Sequence, residues 1–205
     1  MDPVFTLSYS EYAVVEKITE YLSKRDGFSV YVPVSRQEKN VDFLVHNSNH
    51  NRSLRFQVKS SRSYVRDDNE RSIEKGHLKF TLWFSNFQKK YSPGKTEYYV
   101  LFGLFPHVVN SSVSSQKESW RSLILCIPDV QMGELLDSVR TKKKNTPDKF
   151  FYVAFDSPDQ VYGTRGFPAR RDLTEFLLNK QVPNIKRILT SNPALQPITD
   201  KAGSG

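Results

Sequence analysis

The order of elements in the first 60 residues constrains the fold most strongly, because one amphipathic helix precedes three β-rich runs. At about 100° per residue, the apolar side chains of residues 9–24 fall on one helical face. These side chains are Val14, Val15, Ile18, Tyr21 and Leu22. Ser8 and Glu11 have capping-box spacing, and Gly27 lies just beyond the end of the helix. The β-rich runs cover residues 28–34, 41–46 and 54–60, with polar loops between them.

The rest of the chain continues to mix strands with helices. We expect strands at residues 78–84, 97–104, 121–127 and 150–155. Asp129 is predicted to cap a helix that runs to Val139. Asp172 and Glu175 are predicted to open another helix over residues 172–180, and residues 185–189 are predicted to form a short third helix. The charged residues 61–76 read as an irregular excursion. The prediction is a mixed α/β fold in one domain, residues 1–190, followed by a flexible tail, residues 191–205.

Cysteine content and apolar runs restrict the class of protein. Cys126 is the only cysteine, which excludes a disulfide framework and an all-cysteine zinc site. The apolar runs are far shorter than the roughly 20 residues of a membrane-spanning helix. The amino-terminal residues do not have the pattern of a signal peptide. We therefore expect a soluble, cytoplasmic protein without a membrane partner.

The charge balance points to a polyanionic partner. The chain has 30 Lys and Arg against 22 Asp and Glu, a formal net charge of +8. Many soluble domains carry such an excess without binding nucleic acid, so charge alone leaves both interpretations open.

Two carboxylates occupy unusual positions in these elements. Glu11 falls within the apolar face of the first helix, where an unpaired charge is costly. A role in capping the helix is the alternative explanation for Glu11. Asp42 begins the second β-rich run. In the third run, Gln57 and Lys59 are two residues apart and therefore project from one face of the strand.

If the second and third strands pair, Asp42 can lie beside Gln57 and Lys59, and the preceding helix can bring Glu11 to the same end. Phosphodiester cleavage uses such a set of groups. Oxygen ligands hold Mg²⁺, the metal neutralises the charge of the phosphate and lowers the pKa of a bound water, and a lysine orients that water. An ordinary solvent-facing strand is the alternative interpretation of Gln57 and Lys59.

On these residues and this order of elements, the chain resembles the PD-(D/E)XK, or restriction-endonuclease-like, nuclease superfamily, over residues 8–61. The segments YVPVSRQEKNVDFLV and RFQVKSS look most like small prokaryotic members in which Gln replaces the second acidic residue. The resemblance implies an αβββαβ core, with a mixed central sheet flanked by helices. It also implies a Mg-dependent endonuclease, with Mn²⁺ as an alternative cofactor.

The same resemblance assigns roles to individual residues. It makes Asp42 the principal metal ligand, Gln57 the substituted ligand, Lys59 the catalytic lysine and Glu11 the helix-borne acid, with the Val58 carbonyl as a further ligand. A neutral amide at position 57 removes one negative charge, so the affinity for a divalent metal should fall. Two rival interpretations stay open: a catalytically silent nucleic-acid-binding or interaction module on the same fold, and an unrelated α/β domain.

Basic residues near the proposed catalytic strand, and a second basic run, are candidates for contacting a phosphate backbone. They are Arg52, Arg55, Arg62 and Arg66, and Lys142, Lys143 and Lys144. Solvated loops that keep the protein soluble are an equally good explanation of the lysine run. We expect DNA to be the nucleic acid, and the sequence leaves open whether the chain forms a homodimer.

Overall fold

The computed structural model describes residues 8–33, 40–67, 77–109, 117–141, 146–167 and 170–191. Its helices are α1 (Tyr9–Tyr21), α2 (Phe87–Lys90), α3 (Asp129–Asp137) and α4 (Leu178–Thr190). Its strands are β1 (Phe28–Tyr31), β2 (Phe43–Asn47), β3 (Arg52–Val65), β4 (Phe80–Ser85), β5 (Tyr98–Val109), β6 (Lys117–Pro128), β7 (Phe150–Phe155), β8 (Tyr162–Gly163) and β9 (Arg171–Asp172). None of the helices in these ranges is long and apolar enough to cross a membrane.

A mixed sheet of five strands, in the order β1–β2–β3–β5–β6, forms the centre of the structure. Neighbouring strands are antiparallel except β3 and β5, which run parallel with Gln57 opposite Tyr99. The chain between these two parallel strands contains β4 and the single-turn helix α2. This arrangement confirms the predicted α/β class.

Strand β3 belongs to two sheets. Its last residues, Ser63–Val65, pair with β4, and β4 continues into a second sheet through β7, β8 and β9. The prediction of an irregular excursion from residue 61 is therefore wrong at its start, because pairing with β4 keeps the chain extended as far as Val65. Residues 68–76 of that predicted excursion lie outside the described residues.

Two hydrophobic cores flank the central sheet. Along β5, side chains alternate between them, as the two-residue period of a strand requires. Tyr98, Val100 and Phe102 pack towards α1 and α4, whereas Tyr99, Leu101 and Phe105 pack towards α3 and the second sheet. Gly103 lies where β5 passes close to β4, and an added Cβ there would overlap the Leu82 side chain.

Helix α1 begins as predicted and ends earlier. The capping box between Ser8 and Glu11 is present, which confirms the predicted start. The helix ends at Tyr21, and a short 3₁₀ helix, Lys24–Asp26, follows before Gly27 at a φ of 81°. Leu22 is buried, whereas Tyr21 is 36% exposed. The placement of Tyr21 on the buried face is therefore wrong: Tyr21 ends the helix partly exposed, and the extended residue Leu22 turns into the core instead.

The structure corrects the predicted starts of the two later helices. Asp129 is the first residue of α3 and does not cap it; its Oδ2 accepts a hydrogen bond from the backbone N–H of Gly94 at 2.7 Å. Asp172 lies in β9, and its Oδ1 accepts the N–H of Thr174 at 2.8 Å. Helix α4 begins only at Leu178 and includes the separately predicted residues 185–189. Of the predicted tail, residues 192–205 lie outside the described residues.

Candidate functional site

The candidate site lies where β3 changes its neighbour. On one edge, β3 pairs with β2 as far as Phe56, and pairing resumes with β4 at Ser63. On its other edge, β3 pairs continuously with β5 over this stretch. Side chains satisfy backbone groups at the gap: the Ser61 hydroxyl accepts the N–H of Trp83 and donates to its carbonyl, both at 2.8 Å. The gap thus separates two sheets beside Gln57 and Lys59.

Asp42 is held firmly at this gap. It immediately precedes β2, and its backbone N–H donates to the Phe56 carbonyl at 2.8 Å. Its carboxylate Oδ2 accepts the backbone N–H of Val58 at 2.6 Å. A carboxylate acceptor makes this a charge-assisted bond, stronger than a bond between neutral groups. The Val58 side chain is buried in the core beneath α1 and α4, so Asp42 is attached to a rigid part of the sheet.

Gln57 is almost completely buried, with 4% of its surface exposed. Its Nε2 donates to Oδ1 of Asn40 at 3.3 Å. Its Oε1 is buried and has no hydrogen-bond partner among the described residues. An unsatisfied buried oxygen costs about 1–3 kcal/mol and calls for an explanation such as a bound ion or water. An amide oxygen is also a ligand type that Mg²⁺ accepts, so this atom fits the predicted metal position.

Lys59 lies on the same face of β3 as Gln57 and is partly buried. Burial lowers the pKa of Lys59 below its ordinary value of 10.5. Asp42 opposes this change in pKa, Lys90 adds to it, and Glu11 opposes it more weakly. All three charged groups therefore lie within electrostatic range of the Lys59 ammonium, and two of them are the carboxylates that the sequence placed here.

Glu11 carries out the capping role that was the alternative explanation. Its Oε2 accepts the backbone N–H of Ser8 at 3.2 Å, and its own N–H donates to the Ser8 hydroxyl at 3.4 Å. The same carboxylate acts on the pKa of Lys59, which places the first turn of α1 near β3. Capping is thus confirmed, and the roles of Glu11 and of the Val58 carbonyl in holding metal stay predictions.

Two residues at the site were missed by the sequence analysis. Asn40 adopts a left-handed backbone, with a φ of 75°, and its side chain accepts the Gln57 amide. Asparagine tolerates this conformation better than most residues, but a polar loop by itself does not identify the position. Lys90, at the end of α2, approaches Lys59 only because the crossover between β3 and β5 folds back over the sheet.

Two of the predicted nucleic-acid-binding arginines are engaged inside the protein. Arg52 donates through Nη1 to the carbonyls of Ile188 and Ser191, at 2.9 and 3.1 Å, and to the Ser191 hydroxyl, so it binds the carboxyl end of α4. Arg55 forms an ion pair with Glu97, with Nη2 2.5 Å from Oε1. Burial alone would raise the pKa of Glu97, but hydrogen bonds from Arg55 outweigh it and lower that pKa. These contacts explain both arginines without a nucleic acid.

The other predicted basic contacts are less defined. Arg66 follows β3, is partly exposed, and donates its backbone N–H to the Lys79 carbonyl at 2.8 Å. The Arg62 side chain and residues Lys142, Lys143 and Lys144 lie outside the part of the chain that the structure describes. Among the predicted basic residues whose side chains the structure describes, Arg66 is thus the one for which no internal side-chain contact is given above.

Comparisons with protein-family models, with curated proteins and with solved structures find no match for this chain. The structure itself defines the chain as an α/β protein built on a mixed five-strand sheet, with four helices in the described residues. Function has to be inferred from the site, where the sheet brings Asp42, Gln57 and Lys59 together and the first turn of α1 brings Glu11 near them.

Proposed function

We propose that this protein is a metal-dependent nuclease that hydrolyses phosphodiester bonds, with DNA as the expected substrate. One observation carries the proposal. At the gap in the edge of β3, the fixed carboxylate of Asp42 lies near the buried oxygen of Gln57, which has no described hydrogen-bond partner, and near a lysine whose pKa is lowered. A purely structural strand has no need of this combination, because each of the three groups is costly to bury.

The proposed metal ligands are all oxygen atoms, as Mg²⁺ and Mn²⁺ prefer. Asp42 and the Gln57 amide oxygen would hold the ion, with the Val58 carbonyl and Glu11 as the further ligands. When bound, the metal supplies neutralisation of phosphate charge and a lowered pKa for the attacking water. Because Gln57 is neutral, the site has one negative charge fewer than a site with a second strand carboxylate, so metal affinity should be modest.

Lys59 would orient the attacking water and stabilise the negative charge that develops on the phosphate. Burial brings the pKa of its ammonium closer to neutrality, so Lys59 releases a proton more readily than a surface lysine. Asp42 and Glu11 limit that change, which favours the charged form needed next to a phosphate.

The order of elements supports a restriction-endonuclease-like fold for this proposal. Helix α1 is followed by the antiparallel strands β1, β2 and β3, and then by β5 parallel to β3. The crossover departs from a simple αβββαβ core, because its described part holds β4 and a single helical turn. In the proposal, this crossover supplies the second sheet and brings Lys90 to the site.

The neutral Gln57 favours one second candidate: a silent nucleic-acid-binding module that has lost catalysis. Such a module needs no metal, and its affinity for nucleic acid should survive replacement of Asp42. The two candidates therefore differ in metal dependence and in the effect of this one substitution.

The deciding experiment measures cleavage of labelled duplex DNA, single-stranded DNA and RNA with Mg²⁺ or Mn²⁺. The proteins compared are the native chain, Asp42→Asn, Lys59→Met and the matched control Lys180→Met, which changes an exposed lysine of α4. We expect metal-dependent cleavage that falls by at least about 100-fold in the first two variants, as loss of a positioned catalytic group does, and that the control retains.

Cleavage that is independent of metal, or unaffected by Asp42→Asn, would contradict the proposal. If no substrate is cut and salt-sensitive binding persists in all variants, the silent module is the better description.

A further inference from the structure

A groove with a volume of about 660 Å³ lies next to the candidate site. Its walls come from the first turn of α1, from the carboxyl-terminal half of β3, and from β5 and β6. The volume falls within the roughly 300–1,000 Å³ of pockets that hold small organic ligands. The groove is therefore large enough to hold a nucleobase.

The groove and the candidate site share the same stretch of β3. Ser60 and Ser61 line the groove, and Ser60 directly follows Lys59. The side chains of successive residues of a strand point to opposite faces of the sheet. A groove that is lined by both Ser60 and Ser61 must therefore reach the edge of β3, at the stretch where pairing with β2 has ended. On the helix side, Ser10 lines the groove and directly precedes Glu11. Most of the groove lies on the face of the sheet that α1 covers, opposite to the face from which Gln57 and Lys59 project, and the groove reaches the candidate site at the free edge of β3.

The described lining of the groove combines aromatic rings with serine hydroxyls. The lining residues that the structure describes are uncharged, and among them Tyr9 is 65% exposed and Trp120 is 63% exposed. The Tyr9 ring meets Phe102 edge-on, with 6.4 Å between ring centroids. The hydroxyls of Ser60 and Ser63 make no hydrogen bond with any other described residue, so they can serve a ligand. Flat apolar rings beside hydroxyl groups suit a planar base with polar edges.

We propose that this groove binds an unpaired nucleobase, with Tyr9 and Trp120 stacking on it, and so directs the enzyme to nucleic acids with single-stranded nucleotides at the cut. The position relative to the cut rests on the proposed nuclease function, whereas base binding itself does not. A base inside a duplex is stacked on both faces and paired along its edge, so it cannot enter the groove unless it leaves the helix. The aromatic groove takes the base, and the charged site at the edge of β3 takes the phosphate.

A second aromatic surface offers a direct comparison. On the outer face of the second sheet, Trp83 contacts Tyr64, Phe150 and Tyr152, with ring centroids 5.5–5.9 Å apart. Here the Arg165 guanidinium already lies 5.3 Å from the ring centres of both Phe150 and Tyr152. Because a cation of the protein itself covers those rings, this surface is less suited to stacking a base than the groove.

The two tryptophans of the chain, Trp83 and Trp120, make the proposal testable by fluorescence. Trp83→Phe leaves only the groove tryptophan, and Trp120→Phe leaves only the one on the second sheet. Each protein is titrated with a short oligothymidylate and with a blunt hairpin duplex, in EDTA so that no metal-dependent cleavage occurs. We expect oligothymidylate to quench the fluorescence of the Trp83→Phe protein, and to bind at least about tenfold more tightly than the duplex.

Loss of either stacking ring should weaken oligothymidylate binding, measured by anisotropy of a labelled strand. Tyr9→Ala and Trp120→Ala are each expected to raise the Kd by about tenfold, as loss of one base-stacking ring does. Both side chains are largely exposed, so neither substitution should disturb folding. Tyr12→Ala, which removes another exposed tyrosine of α1 that does not line the groove, should leave the Kd unchanged.

Quenching only in the Trp120→Phe protein would place the oligothymidylate on the second sheet and overturn the proposal. Equal affinity for oligothymidylate and the duplex, or no quenching in either protein, would also overturn it. Failure of this inference is distinguishable from failure of the proposed function. Binding in EDTA with no cleavage under any condition would support base binding in the groove and refute the nuclease function. Asp42-dependent cleavage without quenching of Trp120 would support the nuclease function and refute base binding in the groove.

Discussion

Replacing Asp42 by asparagine and by alanine separates its structural role from its proposed metal-binding role. In the native protein, Oδ2 of Asp42 accepts the Val58 N–H at 2.6 Å. Asparagine retains an oxygen that can accept this bond and removes the negative charge. Alanine removes the acceptor as well and leaves a backbone N–H unsatisfied beside the core.

The expected sizes follow from this one bond. A hydrogen bond to a charged group contributes about 1.5–3 kcal/mol and one between neutral groups about 0.5–1.5 kcal/mol, so Asp42→Asn should cost about 1 kcal/mol. Asp42→Ala should cost about 2–3 kcal/mol, because the N–H also loses its partner. For a chain of this length, 1 kcal/mol corresponds to about 2–4 °C in Tm. We therefore expect a loss of about 2–4 °C for asparagine and of at least about twice that for alanine.

The assay is thermal unfolding in EDTA, repeated over a range of Mg²⁺ concentrations. A ligand that binds only the folded state stabilises it by about 1.4 kcal/mol when its concentration is ten times its Kd. Magnesium should therefore raise the Tm of the native protein and have no such effect on either variant. Equal Tm values for the two variants in EDTA would refute the structural part of the reasoning. A magnesium effect that persists in Asp42→Asn would refute the metal-binding part.

Three further predictions follow from the site and its surroundings. Gln57→Glu restores a negative charge and should tighten Mg²⁺ binding by calorimetry; an unchanged affinity would count against Gln57 as a ligand. Lys59→Met should be more stable than the native protein near neutral pH in urea unfolding. Because the pKa of Lys59 is lowered, the native protein gains stability as pH rises from this folded-state pKa towards 10.5. The difference in unfolding free energy between Lys59→Met and the native protein should therefore narrow over that range, and a constant difference would contradict this prediction. Glu97→Gln should lower stability by about 0.5–1 kcal/mol near pH 7, a value that allows for partial exposure of the pair. Because the pKa of Glu97 is lowered, its contribution to stability is present above the ordinary value of 4.5 and is lost as pH falls through the folded-state pKa. The difference in unfolding free energy between the two proteins should therefore disappear in acid, and a difference that does not change with pH would contradict this prediction.

Features that depend on local hydrogen bonds or on side-chain period could be predicted from the sequence. The capping box at Ser8 and Glu11 involves residues three apart, and strand β7 was predicted with its observed bounds from its apolar run alone. The shared face of Gln57 and Lys59 follows from the two-residue period of any strand. Their proximity to Asp42 depended on one further condition, the pairing of β2 with β3, which the structure shows.

Features that depend on distant partners could not be predicted in this way. Strand β3 extends to Val65 because β4 pairs with it, and Asp129 binds Gly94 instead of capping its helix. Arg52 and Arg55 had been assigned to nucleic acid by their charge, but the ends of α4 and β5 provide internal acceptors for them.

The sequence by itself determined the order of the elements and the chemical types of the residues at the site, because periodicity and capping act over a few neighbouring residues. Only the tertiary structure decided that β3 changes its neighbour between Phe56 and Ser63, that the Gln57 oxygen is buried without a described partner, and that Lys59 lies between opposing charges. The physical reason is that pairing, burial and electrostatic environment depend on residues far apart in the chain, which only the folded sheet brings together.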